Sequence, residues 1–217
     1  MEALIYNVGG IPIMLYNTGR VVTDKEYETI IMHDYSAHMY KDTPTPGLIT
    51  KSHYVLEHKD LIDIKLFCKQ YLDKYVKETL CITNDFMITN SWFTRNPTGA
   101  SHHAHNHPNS IFSGVYYLDA ETSDVTFEFE STISKHFRFN YEFSELNGFN
   151  TNSITLSPRT GDVLIFPSWI LHKVSPNTGS TDRLVLGFNS FVTGELGCVD
   201  INTYLNLNTK NATIEEK

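Results

Sequence analysis

A mainly β fold, an antiparallel sandwich or barrel with flanking helices in the N-terminal part, is the expectation for this chain, and three observations carry it. Short apolar runs separated by turn residues crowd the stretch after Asp85, at the spacing of an all-β domain. One of them, Phe137 to Phe143, alternates aromatic and polar residues with the period of two that marks a strand with one face on a core. Before Asp85 the dominant pattern is helical instead, a single long apolar stripe between Glu57 and Leu80.

Taken in order, residues 3 to 22 read as one or two strands at an edge of the fold, with Gly9-Gly10 as a break and Asn17-Thr18-Gly19 as a turn. Thr23-Asp24-Lys25-Glu26 opens a short helix through about Ser36, because a capping Thr followed by acidic residues satisfies free amide donors at a helix start. Lys41 to Gly47, with Pro44 and Pro46, ends it as a loop. In the long helix, Leu61, Ile64, Cys68, Tyr71, Leu72 and Tyr75 face one way, with Lys69, Asp73 and Lys77 off the stripe at i,i+4 spacing. Such a helix braces a sheet. The strands then expected are Phe86 to Phe93, Ile111 to Leu118, Val125 to Phe129, Phe137 to Phe143, Ile154 to Leu156, Val163 to Phe166 and Leu184 to Val192, followed by a polar, frayed tail after about Tyr204. One domain is expected over 1–217: N-terminal strands and supporting helices over 1–84, a β core over 85–195 and a C-terminal tail over 196–217.

Composition bounds the function. With 217 residues and 41% hydrophobic content, the chain can bury a sizeable core. Its net charge of -8 and the lack of any basic run argue against duplex nucleic acid. Cys68, Cys81 and Cys198 form no CxxC pair, so neither a disulfide framework nor a thiolate zinc site is expected, and a cytoplasmic location is. No apolar stretch approaches the roughly 18 residues of a membrane span, and no signal peptide is read.

The chemistry concentrates in SHHAHNHPNS, where His102, His103, His105 and His107 fall within six residues just ahead of an apolar strand. In an extended chain His105 and His107 share a face and can converge on one ion; His103 and His105 form a second such pair. A third ligand is offered by His172, which follows the strand in GDVLIFPSWILHKVSPN. Arg183 heads the otherwise apolar RLVLGFNSF, and an Arg entering a buried strand needs an anion. The bland alternatives are a solvated histidine loop and an Arg183 paired internally with Asp162 or Asp182. Trp92, Trp169 and the aromatic insert between Val125 and Phe143 are candidates for a site mouth or, more commonly, for core.

The ordered set HxH, SGVYYL, the distal His172 and then Arg183 resembles the iron(II)- and 2-oxoglutarate-dependent oxygenases. It is most similar to a microbial and phage group with an HxHPNS…SGVYYL motif, and less closely to prolyl hydroxylases; the resemblance spans roughly Ser91 to Phe191. It implies a double-stranded β-helix, a jelly-roll or cupin-like barrel, buttressed by the N-terminal helices. By motif position it implies Fe(II) on His105, His107 and His172, with Arg183 on the distal carboxylate of 2-oxoglutarate and Tyr117 and Asn189 as further cosubstrate-binding residues. It places Pro108-Asn109-Ser110 in the turn to the strand, which selects His105 and His107 over His103 and His105.

The implied reaction is hydroxylation by O2 and 2-oxoglutarate, releasing succinate and CO2. Two departures stand out: His107 occupies a position usually held by a carboxylate, and Val185 stands where many members carry Ser or Thr. A cupin-like three-His metal dioxygenase that uses no 2-oxoglutarate, and a non-catalytic β-barrel binding protein with a structural metal, are the rival readings. The sequence names no primary substrate (protein, peptide or small molecule), expects no membrane, and leaves open whether the chain forms a homo-oligomer; if phage-encoded, it would act in the host cytoplasm.

Overall fold

The structure, a computed structural model, describes residues 3–8, 10–38, 45–129, 141–147 and 150–208. In chain order, strands β1 (Ala3–Val8) and β2 (Ile11–Asn17) precede helix α1 (Asp24–Ile31), a hairpin of β3 (Tyr35–His38) and β4 (Gly47–Thr50), and helix α2 (Ile62–Lys74). The β core follows as β5 (Asp85–Asn96), β6 (His102–His105), β7 (Phe112–Asp119), β8 (Val125–Glu128), β9 (Ser153–Leu156), β10 (Asp162–Pro167), β11 (Leu171–Val174) and β12 (Arg183–Leu196), with a short β13 (Leu205–Leu207). No helix among the described residues is long and apolar enough to cross a membrane.

Two antiparallel sheets form the double-stranded β-helix. The larger runs β1-β2-β10-β7-β12-β5-β4-β3, with β13 paired to β12, and the smaller runs β6-β11-β8-β9. Side-chain parity on the larger sheet explains why its central strands read as unbroken apolar runs. In β10, Val163 and Ile165 point to the face covered by α2, while Leu164 and Phe166 point to the smaller sheet, so both faces are dry. The same alternation puts Met14, Tyr16, Tyr116 and Leu118 under the helix and Ile13, Leu15 and Tyr117 between the sheets.

Helix α2 braces the larger sheet as its stripe requires, burying Ile64, Cys68, Tyr71 and Leu72. The expected span 57–80 is divided: 3-10 turns at Val55–Glu57 and Lys59–Leu61 lead in, and a π turn over Tyr75–Thr79 leads out. That last turn aims the Tyr75 hydroxyl at the Pro12 carbonyl, 2.8 Å away. Lys69 and Asp73 form the i,i+4 pair on the exposed side. Helix α1 starts on the expected capping box, Thr23 with Glu26, but stops at Ile31, because Tyr35–His38 pairs with Gly47–Thr50 as a sheet-edge hairpin.

Two further expectations change. The aromatic run Phe137 to Phe143 lies outside the described residues up to 140, and from 141 to 143 it is exposed coil without strand pairing. Part of the expected frayed tail is ordered, since Leu205–Leu207 pairs with Gly194–Leu196; residues 209–217 lie outside the described ones.

Gly114 marks the tightest packing between the two most central strands. A Cβ there would sit 2.1 Å from the Phe188 ring on neighbouring β12. Gly114→Ala is expected to lower the unfolding free energy by about 1–3 kcal/mol through overpacking, read from urea unfolding; an unchanged midpoint would show that Phe188 yields without cost.

Candidate active site

β6 and β11 are adjacent in the smaller sheet, and their register sets His172 directly opposite His105. His107 joins them from the loop that follows β6. Its backbone amide donates to the Ser168 carbonyl at 2.9 Å, and Asn109, at φ 59, makes the Pro108-Asn109 turn that returns the chain to β7. The ring centroids lie 4.3 Å (His105–His172), 5.1 Å (His107–His172) and 5.2 Å (His105–His107) apart. One nitrogen from each ring falls within 4.8 Å of the others, a spacing that can hold a metal ion. His103 is exposed and outside this group.

Each ring is oriented through its outer nitrogen. Nδ1 of His105 meets the His103 carbonyl at 2.8 Å and Nδ1 of His172 meets the Ile170 carbonyl at 3.1 Å. Nδ1 of His107 meets the Asn189 side-chain oxygen at 2.8 Å and the Ser113 hydroxyl at 2.7 Å. Carbonyl oxygens only accept, so in each ring Nδ1 carries the proton and Nε2 keeps its lone pair. Burial, then the neighbouring His105 and His107, pushes His172 down to about 3. Burial and His105 push His107 down to about 4, and burial likewise lowers His105. At neutral pH the cluster is therefore three neutral imidazoles, the form that ligates metals.

The rings open on a cavity of about 590 Å³ counted out through its mouth. Its floor is the inward face of the β5–β12 pair: Trp92, Thr94 and Asn96 alternate along β5, each opposite Gly187, Val185 and Arg183 of β12. Gly187 is required here because a Cβ would come within 2.7 Å of the Trp92 indole. The Val185 side chain offers no hydrogen bond; Thr94, across from it, also lines the cavity.

Arg183 is the largest fully buried side chain among the described residues, 2% exposed. Its Nη1 donates to the Ser175 carbonyl at 3.2 Å and to the Thr122 carbonyl at 3.5 Å, while Nη2 is buried with no partner. Neither internal carboxylate considered from the sequence meets it: Asp182 pairs with Arg95 at 2.5 Å, and Asp162 accepts from the Arg159 amide. Burial lowers the Arg183 pKa below its ordinary value, with Tyr117 and Asp124 opposing. Among the described residues no carboxylate is ion-paired with this guanidinium, Asp124 acting on it only at a distance, and Arg183 lines the cavity shared with the three imidazoles.

Of the residues expected from the sequence, His105, His107, His172, Arg183 and Tyr117 line this one cavity. Tyr117 is buried beside Arg183, and burial raises its pKa, so the phenol stays protonated. Asn189, expected on the cosubstrate, places its amide oxygen 2.8 Å from Nδ1 of His107. Trp92 lines the cavity and Trp169 is exposed, so neither is plain core. Sequence reasoning missed Thr94, Asn96, Ser113 and His102. The first two were available from the strand period of β5, but His102 was not: it stacks on His105 at 4.0 Å only because β6 and β11 pair irregularly beyond His172. Burial, then His105, pushes His102 down to about 2.

Comparisons agree with this geometry. The family model described as "Putative 2OG-Fe(II) oxygenase" matches residues 90–189, from β5 to Asn189. No curated protein matches the sequence. Among solved structures, the chain is similar to SnoN, a non-heme α-ketoglutarate-dependent epimerase from nogalamycin biosynthesis (TM-score 0.59, 11% identity, covering 97% of this chain and 89% of that one). It is also similar to a 2OG-Fe(II) oxygenase family oxidoreductase from Burkholderia pseudomallei (TM-score 0.56, 9% identity, 76% of each chain). A third is HygX from Streptomyces hygroscopicus, solved with nickel and 2-oxoglutarate (TM-score 0.51, 12% identity, 85% and 83%). The structural likeness at these low identities shows the shared double-stranded β-helix and nothing further. The stretch matched by the family model carries His105, His107 and His172, the three histidines placed to hold a metal ion, together with Arg183.

A buried, unpaired charge costs stability, so Arg183→Met is expected to give ligand-free protein a Tm no lower than the parent's. A Tm several degrees lower would show that the guanidinium already has its anion within the fold.

Proposed function

We propose that His105, His107 and His172 bind iron(II) through Nε2, that Arg183 binds the distal carboxylate of 2-oxoglutarate, and that the protein hydroxylates a substrate C–H bond. Succinate and CO2 are the co-products. The observation that carries the reading is one cavity holding three inward-facing neutral nitrogens at one end and an anion-seeking guanidinium edge at the other.

The residues present fit the cofactors. Three nitrogen donors from one side leave further metal positions free for a chelating keto acid and for dioxygen. Iron(II) with 2-oxoglutarate, when bound, supplies the oxidation: O2 is consumed, the keto acid loses CO2 to become succinate, and one oxygen atom enters the substrate. The protein's own contribution is electrostatic and positional. Three neutral ligands leave the metal's two positive charges uncompensated, and Arg183 adds a third, so the site favours a dianion held between its ends. The planar fork of Arg183 fixes the direction of a carboxylate, and the protonated Tyr117 beside it can donate to the same group. Phe127, Phe166 and Trp92 pack against the histidine rings and keep that end of the cavity apolar. Water is thereby limited where the oxidation occurs.

The test is succinate formation and oxygen uptake by the iron-loaded protein, with an anaerobic titration of 2-oxoglutarate read by metal-to-ligand charge-transfer absorption. The absorption is expected to appear with the parent protein, to vanish in His172→Ala, and to require at least tenfold more 2-oxoglutarate in Arg183→Met. Oxygen uptake independent of 2-oxoglutarate and insensitive to Arg183→Ala would instead indicate a cupin-like three-histidine dioxygenase. A metal site with no keto-acid affinity and no oxygen uptake would indicate a binding protein with a structural metal.

A further inference from the structure

The three rings are not held alike. His105 and His172 each place Nδ1 on the carbonyl of the residue two positions earlier, an anchor that the extended backbone itself provides. His107 has no such anchor. Its Nδ1 is held by side chains from two other strands, Ser113 of β7 and Asn189 of β12, the latter 82 positions away.

Behind those two groups runs a chain of hydroxyls. Ser113 lies 2.7 Å from the Asn189 oxygen and 2.7 Å from the Ser168 hydroxyl, and Ser168 lies 2.6 Å from the Ser110 hydroxyl. Ser110 faces the Phe112 and Ser190 carbonyls, at 3.1 and 3.2 Å. Acceptors terminate the chain at both ends: backbone carbonyls at Ser110 and the amide oxygen at Asn189. The Ser110 hydroxyl proton goes to a backbone carbonyl and the Ser113 hydroxyl donates to Asn189 Oδ1, so neither Ser113 nor Asn189 Oδ1 has a proton for the ring, and His107 Nδ1 is left to carry its own. The backbone is shaped for this contact. The β5–β12 register shifts between Asn189 and Ser190, a bulge that re-aims a side chain, and the displaced Thr89 hydroxyl approaches the Asn189 carbonyl at 3.3 Å.

We infer that Asn189, with Ser113 and the Ser168–Ser110 pair behind it, is a positioning clamp that locks His107 as the Nδ1–H tautomer and thereby sets the affinity of the site for its metal. The clamp is neutral, so it orients the ring without adding the charge that a carboxylate partner would bring. It also joins two parts of the site through one strand: β12 carries Arg183 at its start and Asn189 six residues on, so the spacing between the anion end and the His107 end is fixed by the pleat of a single element. The inference rests on the metal-site reading above.

Cobalt(II) is a suitable probe, because its binding is read by visible absorption and ligand-ring N–H protons appear as shifted, exchangeable proton resonances. The full chain is expected to bind cobalt(II) and to show three such resonances. Asn189→Leu, which removes the acceptor at similar size, is expected to weaken cobalt(II) binding about 10- to 100-fold and to lose or broaden one resonance through solvent exchange. Asn189→Asp restores an acceptor and is expected to recover parental affinity or better, with all three resonances. Ser113→Ala leaves Asn189 in place and is expected to lose less than Asn189→Leu.

Parental affinity and three slow-exchanging resonances in Asn189→Leu would overturn the clamp while leaving the metal site standing. Equal losses in Asn189→Leu and Asn189→Asp would show a merely structural role and also overturn it. Failure of the parent protein to bind cobalt(II) through three rings would remove the metal-site reading, and the clamp with it.

Discussion

Three imidazole rings with centroids 4.3 to 5.2 Å apart turn unprotonated nitrogens toward one another, with Nε2 of His105 and His107 3.3 Å apart, and lone pairs that close repel unless the rings share a cation. Much of the fold serves that constraint. The β6–β11 register sets His172 against His105, the Asn109 turn brings His107 back over them, and β7 and β12 supply the groups that hold its outer nitrogen. The apolar packing of Phe127 and Phe166 then keeps the rings dry, which depresses their basicity further.

Arg183 poses the complementary problem at the other end of the cavity. Its charge is buried, its Nη2 has no partner, and the acids that might have paired with it are engaged elsewhere. A fold that retains a cation under these conditions is incomplete without an anion, whereas an internally paired Arg183 would have closed the site. In the proposed reading, neutral histidines and an unpaired cation in one cavity suit a ligand that is both metal-chelating and anionic. A dicarboxylate keto acid has both properties.

The sequence showed most clearly those elements whose two faces are both buried. DVLIFP and FSGVYYLD announce themselves because α2 covers one side and the smaller sheet the other. The residues His105, His107, His172 and Arg183 were legible because unusual side chains flank those strands. The hairpin of β3 and β4 was not, being short and half-exposed at a sheet edge, and β6 was hidden because HHAH has no apolar period. Asn189 was legible as an inward residue but not in its role: strand parity points it at the cavity, and only the bulge beside Ser190 turns it to His107. Thr94 and Asn96 share that limit, since their place opposite Val185 and Arg183 depends on a pairing that no local pattern encodes.

The most direct measurement of the central claim is a crystal structure of the protein grown without oxygen in iron(II) and 2-oxoglutarate, with anomalous data collected at the iron edge. One iron peak is expected within bonding distance of Nε2 of His105, His107 and His172, with the keto acid chelating it and its far carboxylate on the Arg183 guanidinium. An iron held through His102 or His103, or a keto acid bound away from Arg183, would contradict it.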